Sequence, residues 1–191
     1  MPLALLLLSA CDGGTEATPP TANPRFQAVE AVPVKDRSLD EFCEHHDDAA
    51  SAKTWSWPEL DTPAPAAAAT WSWVNVWATW CGPCVAEMPM LVRWKDRLHG
   101  DGTDIDLQFL SVDANPTDMT RWASTHTEAK SSVRIKDYGL LAGFLASTGL
   151  DASAVIPLHY FIDPDKKIRC VRMGAVEEAD YKTVQRVLKG E

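Results

Sequence analysis

Basic residues are scarce in this sequence: 18 Lys and Arg stand against 27 Asp and Glu, a formal net charge of -9. A phosphate backbone and an anionic lipid surface both need concentrated positive charge, so neither nucleic acid nor a charged membrane face is an expected partner. The eight tryptophans are therefore not read as base-stacking platforms. Beyond the N-terminus no continuous apolar stretch is long enough to cross a bilayer. No internal repeat of fixed period is present, and nothing calls for a bound cofactor or a resident metal. With 191 residues there is room for one domain with a sizeable core plus tails, but not for two ordinary domains.

Periodicity is also missing early in the chain. Residues 12–34, DGGTEATPPTANPRFQAVEAVPV, show neither helical nor alternating pattern and read as a tether. Ser38 can cap a short polar helix over 38–46, with Asp40 and Glu41 in its first turn. A low-complexity piece, TPAPAAAA at 62–69, joins two Trp-rich segments, 54–60 and 70–78, that read as strands or strand edges. From there strands alternate with helices. A strand at 70–78 leads to a helix at 85–98 with Val85, Met88, Leu91, Val92 and Leu98 broadly on one side. A β run at 105–112, a helix near 117–127, a short strand at 132–135 and a helix at 138–147 ended by Gly149 follow. Strands at 157–162 and 167–173 flank the turn Asp163-Pro164-Asp165, and a helix at 177–189 closes the chain. The order β-α-β-α-β-β-α predicts an α/β fold, a central mixed β-sheet flanked by helices.

Cys81 and Cys84 stand two residues apart where a buried strand turns into a helix. Cys81 is thus expected to face the free amides and positive end of that helix, which favour its thiolate. Such contexts bring a cysteine from a pKa of about 8.5 into the range of roughly 3.5 to 7.5, while Cys84, deeper in the helix, is more shielded. One thiol attacks a disulfide and the other resolves the mixed disulfide. The competing reading is a disulfide that only staples the turn, yet closing so small a loop removes little chain entropy.

Trp80-Cys81-Gly82-Pro83-Cys84 after an apolar strand resembles the thioredoxin-type active site. The wider stretch Val76-Trp77-Ala78-Thr79-Trp80-Cys81-Gly82-Pro83-Cys84, followed by Glu87-Met88-Pro89, resembles the TlpA/ResA branch, exported and membrane-anchored thioredoxin-like reductases. The resemblance covers roughly residues 55–190. It implies a thioredoxin-like fold in which 117–150 is similar to the branch's central insertion and Pro89 sits where the active-site helix kinks. It also implies that Val155-Ile156-Pro157 is the cis-proline loop beside the cysteines, with the Ile156 backbone pairing to an extended substrate segment. Pro157 in that place keeps metal ions from the thiols. Asn75 stands where thioredoxin itself has a buried Asp, so a proton shuttle must lie elsewhere. Glu87 occupies the branch's acid position; it either tunes the thiols, because a carboxylate opposes thiolate formation, or is a solvated acid serving the helix dipole.

The first residues, MPLALLLLSAC, carry an apolar run at Leu3 to Leu8 that is short for a signal peptide and has no Lys or Arg before it, so an upstream start is expected. Leu8-Ser9-Ala10-Cys11 resembles the lipobox of bacterial lipoprotein precursors, which implies cleavage before a lipidated Cys11; the alternative is an ordinary secretory signal. Asp12 resembles an inner-membrane retention signal. The expected organisation is a signal peptide at 1–10, lipidated Cys11 and tether over 11–34, an N-terminal extension at 35–54 and a thioredoxin-like domain at 55–191. The expected location is the periplasmic side of the inner membrane, or the outer plasma-membrane face where no outer membrane exists. The lipid is the only membrane contact expected.

Of five cysteines, Cys43 and Cys170 then remain. In an oxidising compartment a structural disulfide between them is expected, stabilising by about 4 to 5 kcal/mol in the chain-entropy model. The alternatives are two buried free thiols, or Cys43 acting with His45 and His46 on a metal. A copper-handling module using Cys81, Cys84 and His159 is the rival function, opposed by the two-residue spacing and by Pro157; otherwise His159 is a packed or surface residue. The expected activity is reduction, since the Gly82-Pro83 pair matches thioredoxin, whose potential is about -270 mV. Disulfide-containing protein substrates and a membrane electron-donor thiol protein are the partners implied.

Overall fold

Ser38 caps the first helix. Its hydroxyl accepts the Glu41 N–H at 3.2 Å and its own N–H donates to Glu41 Oε2 at 3.0 Å, a reciprocal box that starts α1 (Leu39–Phe42). The computed structural model describes residues 37–191, so the signal peptide, Cys11 and the tether lie outside the described residues. The helix is shorter than the 38–46 expected from the sequence. Cys43 is already extended (φ -93, ψ 138), the Glu44 N–H donates to Val171 O at 2.6 Å, and His45–His46 form a short strand, β1. Sheet pairing and the Cys43 side chain's link to Cys170 draw the backbone away from helix at that point.

The remaining elements are β2 (Trp71–Trp77), α2 (Gly82–Gly100), β3 (Ile105–Ser111), α3 (Pro116–Ala123), β4 (Val133–Arg134), α4 (Leu141–Thr148), β5 (Leu158–Ile162), β6 (Ile168–Met173) and α5 (Tyr181–Val187). They build a six-stranded mixed sheet in the order β1-β6-β5-β2-β3-β4. β2 lies inside it, parallel to β3 and antiparallel to β5, and its last five residues are all buried. A strand covered on both faces reads as a near-continuous apolar run, which is why WSWVNVW tolerates a single amide at Asn75.

Alternation along β2 and β5 divides the core in two. On one face Trp73 packs 6.2 Å from the Trp94 ring of α2 and 4.9 Å from Phe161, and Trp94 in turn meets Tyr181 of α5 at 5.2 Å. On the other face Tyr160 meets Trp55 and, from α4, Phe144 at 5.1 and 5.9 Å. Each large aromatic brings about 150–250 Å² of burial, so these two clusters hold the helices to the sheet. The buried stripe of α2 is Cys84, Glu87, Met88, Leu91, Trp94 and Leu98; Val85 and Val92, expected among the core residues, are only half-buried.

Three further expectations shift. The Trp-rich segment 54–60 is not a strand: it makes isolated bridges at Thr54 to Lys167 and Leu60 to Ile135, and its indoles pack against the sheet. The helix expected near 117–127 stops at Ala123, where the Ser124 and Thr125 hydroxyls bond back to Arg121 O and Trp122 O; a separate 3-10 turn, Thr127–Ala129, follows. The closing helix is divided into a 3-10 turn, Glu178–Asp180, capped by Glu177, and α5. Gly149 ends α4 at φ 91, the left-handed conformation that glycine adopts without a Cβ penalty.

Candidate active site

β2 delivers the chain to the sheet's C-terminal edge, and residues 78–80 turn it into α2. Cys81 is the N-cap, Pro83 fills the second helical position where no N–H is needed, and Cys84 is the third. The Cys84 N–H donates to Cys81 Sγ at 3.3 Å, so the sulfur takes the capping role usually held by an oxygen. The two sulfurs are bonded at 1.98 Å. Cys84 is fully buried, Cys81 is 5% exposed and Trp80 beside it is 65% exposed. Access to the disulfide is therefore through Cys81.

The turn before Cys81 is clamped from β3. Asp113, 1% exposed, accepts the Thr79 N–H at 3.1 Å, the Thr79 hydroxyl at 2.7 Å and the Ser111 hydroxyl at 2.8 Å. Arg134 Nη1 donates to Asp113 O at 2.9 Å while its Nε reaches Asp61 Oδ2 at 2.8 Å. Nothing in the sequence marks Asp113 as a site residue, because Asp113-Ala114-Asn115-Pro116 reads as an ordinary turn.

Beneath the cysteines lies a buried polar cluster. Glu87, one helical turn after Cys84, is 4% exposed; its Oε1 accepts from Asn75 Nδ2 at 2.9 Å and its Oε2 from the Val176 N–H at 2.9 Å. The picture of Glu87 as a solvated acid is thereby corrected: the 84-87-88-91 spacing puts it in the core stripe of α2. Asn75 stands directly across from His159 in the β2 and β5 register. His159 is fully buried, with Nδ1 at 3.2 Å from Trp73 Nε1 and 3.3 Å from Asn75 Nδ2, and Nε2 at 3.4 Å from Glu87 Oε1. The sequence hint was the setting of the histidine, inside the apolar run LHYFI of a central strand.

The Ile156–Pro157 peptide is cis. Leu158 pairs with Val76, so continuing the register one step puts Pro157 opposite Trp77, at the same end of the sheet as Cys81. Pro157 is buried and Ile156 half-buried, with Val155 exposed beside them. Cys43 and Cys170 lie elsewhere, at the β1 and β6 edge, joined at 2.06 Å. The copper set of Cys81, Cys84 and His159 is not assembled: both imidazole nitrogens face Trp73, Asn75 and Glu87. Among the described residues no group of three or more His, Cys, Asp or Glu is arranged to hold a metal.

No family model and no curated protein matches the sequence. Solved structures match the fold. The thioredoxin domain of a thiol-disulfide oxidoreductase from Bacteroides vulgatus superposes with a TM-score of 0.51 at 18% identity, over 63% of this chain and 80% of that one. The fold is that of thioredoxin. A thiol:disulfide interchange protein named DsbE from Chlorobium tepidum gives 0.50 at 19% identity, covering 64% of this chain and 80% of its own. A secreted thiol-disulfide isomerase from Corynebacterium glutamicum gives 0.50 at 18%, over 64% and 71%. In this thioredoxin-like frame β2, the cysteine turn and α2 form the strand-turn-helix that carries the dithiol, and cis-Pro157 opens the neighbouring strand.

Proposed function

We propose that this protein is an exported thiol-disulfide oxidoreductase that reduces protein disulfides. The observation that carries the reading is Cys81 at the N-cap of α2, bonded to a fully buried Cys84. In the reduced protein the Cys81 thiolate faces the helix N-terminus, which stabilises negative charge. It attacks a substrate disulfide; the Cys81–substrate S–S bond forms as the substrate bond breaks, and the first substrate sulfur leaves as thiolate. Glu87 then takes the proton of Cys84. The Cys84 thiolate attacks Cys81 Sγ, the intramolecular disulfide forms, and the second substrate sulfur departs and is protonated. Two electrons pass from the dithiol to the substrate. A buried carboxylate one turn from Cys84 supports this role for Glu87, since Asn75 has no proton to exchange.

Substrate is held by the Ile156 backbone beside cis-Pro157 and by exposed Trp80, with Gly82 and Pro83 shaping the turn. The second disulfide, Cys43–Cys170, is structural. The lipobox-like Cys11 supports anchoring on the periplasmic side of the inner membrane. Reduction outside the cytosol needs a membrane thiol protein that supplies electrons, and apocytochrome c or copper-site cysteines are the substrate class implied by the sequence resemblance.

The test is the equilibrium potential of Cys81–Cys84 in the full chain, read by thiol trapping across dithiol buffers. A value at or below about -230 mV supports reduction, whereas one above about -180 mV assigns the protein to oxidases or isomerases. Cys84→Ala is expected to accumulate mixed disulfides through Cys81. Failure to trap any substrate sulfur there overturns the assignment of Cys81 as nucleophile.

A further inference from the structure

His159 makes and breaks no bond in the thiol-disulfide exchange, yet it is the one imidazole in the buried cluster beneath the dithiol. The Trp73 indole nitrogen, 3.2 Å from Nδ1, can only donate. Nδ1 must therefore carry a lone pair, and the neutral ring keeps its proton on Nε2. A second donor, Asn75 Nδ2 at 3.3 Å, faces the same Nδ1. Protonating Nδ1 would put an N–H against two other N–H groups in a site without exposure.

The Nε2 proton makes no hydrogen bond among the described residues, and the carboxylate oxygen beside it is Glu87 Oε1, 3.4 Å away. Asn75 Oδ1, beside the same carboxylate, is likewise without a partner. Unpaired buried polar atoms are rare in folded proteins and are tolerated where a reaction needs them. Glu87 thus meets Asn75 from β2, His159 from β5, the Val176 amide from the segment after β6, and Cys84 one turn back on its own helix. Of these only His159 and Cys84 are titratable.

We infer that His159 is a positioning residue for the redox step: fixed as its Nε2–H tautomer by Trp73, it holds an unpaired N–H 3.4 Å from Glu87 Oε1, placed to donate to that carboxylate when Glu87 takes the Cys84 proton. The inference rests on the role given to Glu87 above. It differs from a packing role because it depends on the donor rather than the ring.

The test is the pH–rate profile of mixed-disulfide resolution in the full chain, followed by stopped flow in four variants: His159→Leu, His159→Gln, Glu87→Gln and His159→Leu with Glu87→Gln. Removing a donor disfavours the charged carboxylate. His159→Leu is expected to move the acidic limb of the profile up by about one pH unit, or roughly tenfold in rate below the limb. His159→Gln, which keeps a donor near the Nε2 position, is expected to restore the wild-type limb. In the Glu87→Gln background His159→Leu is expected to add nothing. A His159→Leu profile that superposes on wild type, an equal shift in His159→Gln, or additive effects in the double variant each overturn the inference. An unchanged profile in Glu87→Gln overturns the Glu87 role as well, so the two failures are told apart. Nitrogen NMR of the ring gives a readout independent of turnover: the Nε2–H tautomer is expected, and an Nδ1–H tautomer overturns the inference.

Discussion

Replacing both Cys43 and Cys170 with Ala is expected to cost the domain about 5 kcal/mol. The bond closes a loop with a sequence separation of 127, and the chain-entropy relation gives about 5 kcal/mol at 25 °C for a loop of that size. The loss is expected to appear in the global transition, because α1 is held by more than the sulfur. Phe42 and Leu39 are 1% and 6% exposed, and burying each such side chain is worth about 1.5–3 kcal/mol. Arg172 Nη1 donates to Phe42 O and Arg186 Nη1 to Arg37 O, both at 3.2 Å, and β1 stays paired with β6. Urea unfolding of the variant is expected to show the lower midpoint with a steeper slope, as the uncrosslinked denatured chain expands. Thermally the shift is roughly 10–20 °C for a domain of this size. A loss under about 1 kcal/mol, with amide exchange faster only over residues 39–46, would refute the reasoning: α1 and β1 would then detach locally.

Other perturbations read different parts of the molecule. Burial pushes the Tyr160 phenol up to about 12, against an ordinary value near 10. The neutral phenol is the form the fold accepts, so its contribution is complete below about pH 10 and lost as pH rises toward 12; about 2–3 kcal/mol should vanish in alkaline urea titrations, and Tyr160→Phe should flatten that limb. Asp113→Asn replaces a carboxylate that accepts from Thr79 and Ser111 with an amide carrying donors of its own, and a loss of about 2 kcal/mol is expected by urea denaturation, with slower attack by Cys81 as the turn loosens. Glu87→Gln removes a negative charge near the dithiol, stabilises its thiolates and is expected to raise the equilibrium potential, by about 30 mV for each tenfold gain in thiolate. An unchanged potential and an unchanged thiol titration would sink the electrostatic role of Glu87.

From residue 70 onward the fold is legible because its strands and helices differ so clearly in period, and because short apolar runs such as FLS and LHYFI are bounded by turn residues. The N-terminal part is less so. Nothing local in Cys43, His45 or His46 announces a strand; β1 exists because β6 offers an edge, which is a tertiary fact. The Trp55 and Trp57 segment has strand-like composition, yet Pro58 and the Ala-rich stretch after it deny it a ladder, leaving two bridges. For the site, the sequence displays the residues but not their partners. Glu87 reads equally as a surface acid until the 84-87-88-91 stripe is matched to a buried helix face. Asp113 and His159 carry no motif at all, and only the pairing of β2 with β3 and β5 brings them to the cysteines and to Glu87.

The dithiol sits between two opposed fields. Above, the N-terminus of α2 and its free amides favour negative charge at Cys81, which is the cap itself. Below, an acid held by two donors faces the side of the helix that carries Cys84, and an ionised carboxylate disfavours a second anion nearby. The two cysteines are thereby separated in role although only two residues apart. In the proposed mechanism Cys81 is the thiolate that meets substrate, and Cys84 keeps its proton until Glu87 removes it, which delays resolution until the mixed disulfide has formed. The same opposition bears on direction. A helix terminus alone stabilises the reduced form and makes an oxidant, whereas a carboxylate beneath the pair destabilises the thiolates and lowers the potential. The proposed direction, giving electrons away, is the one that the buried carboxylate favours over the helix terminus.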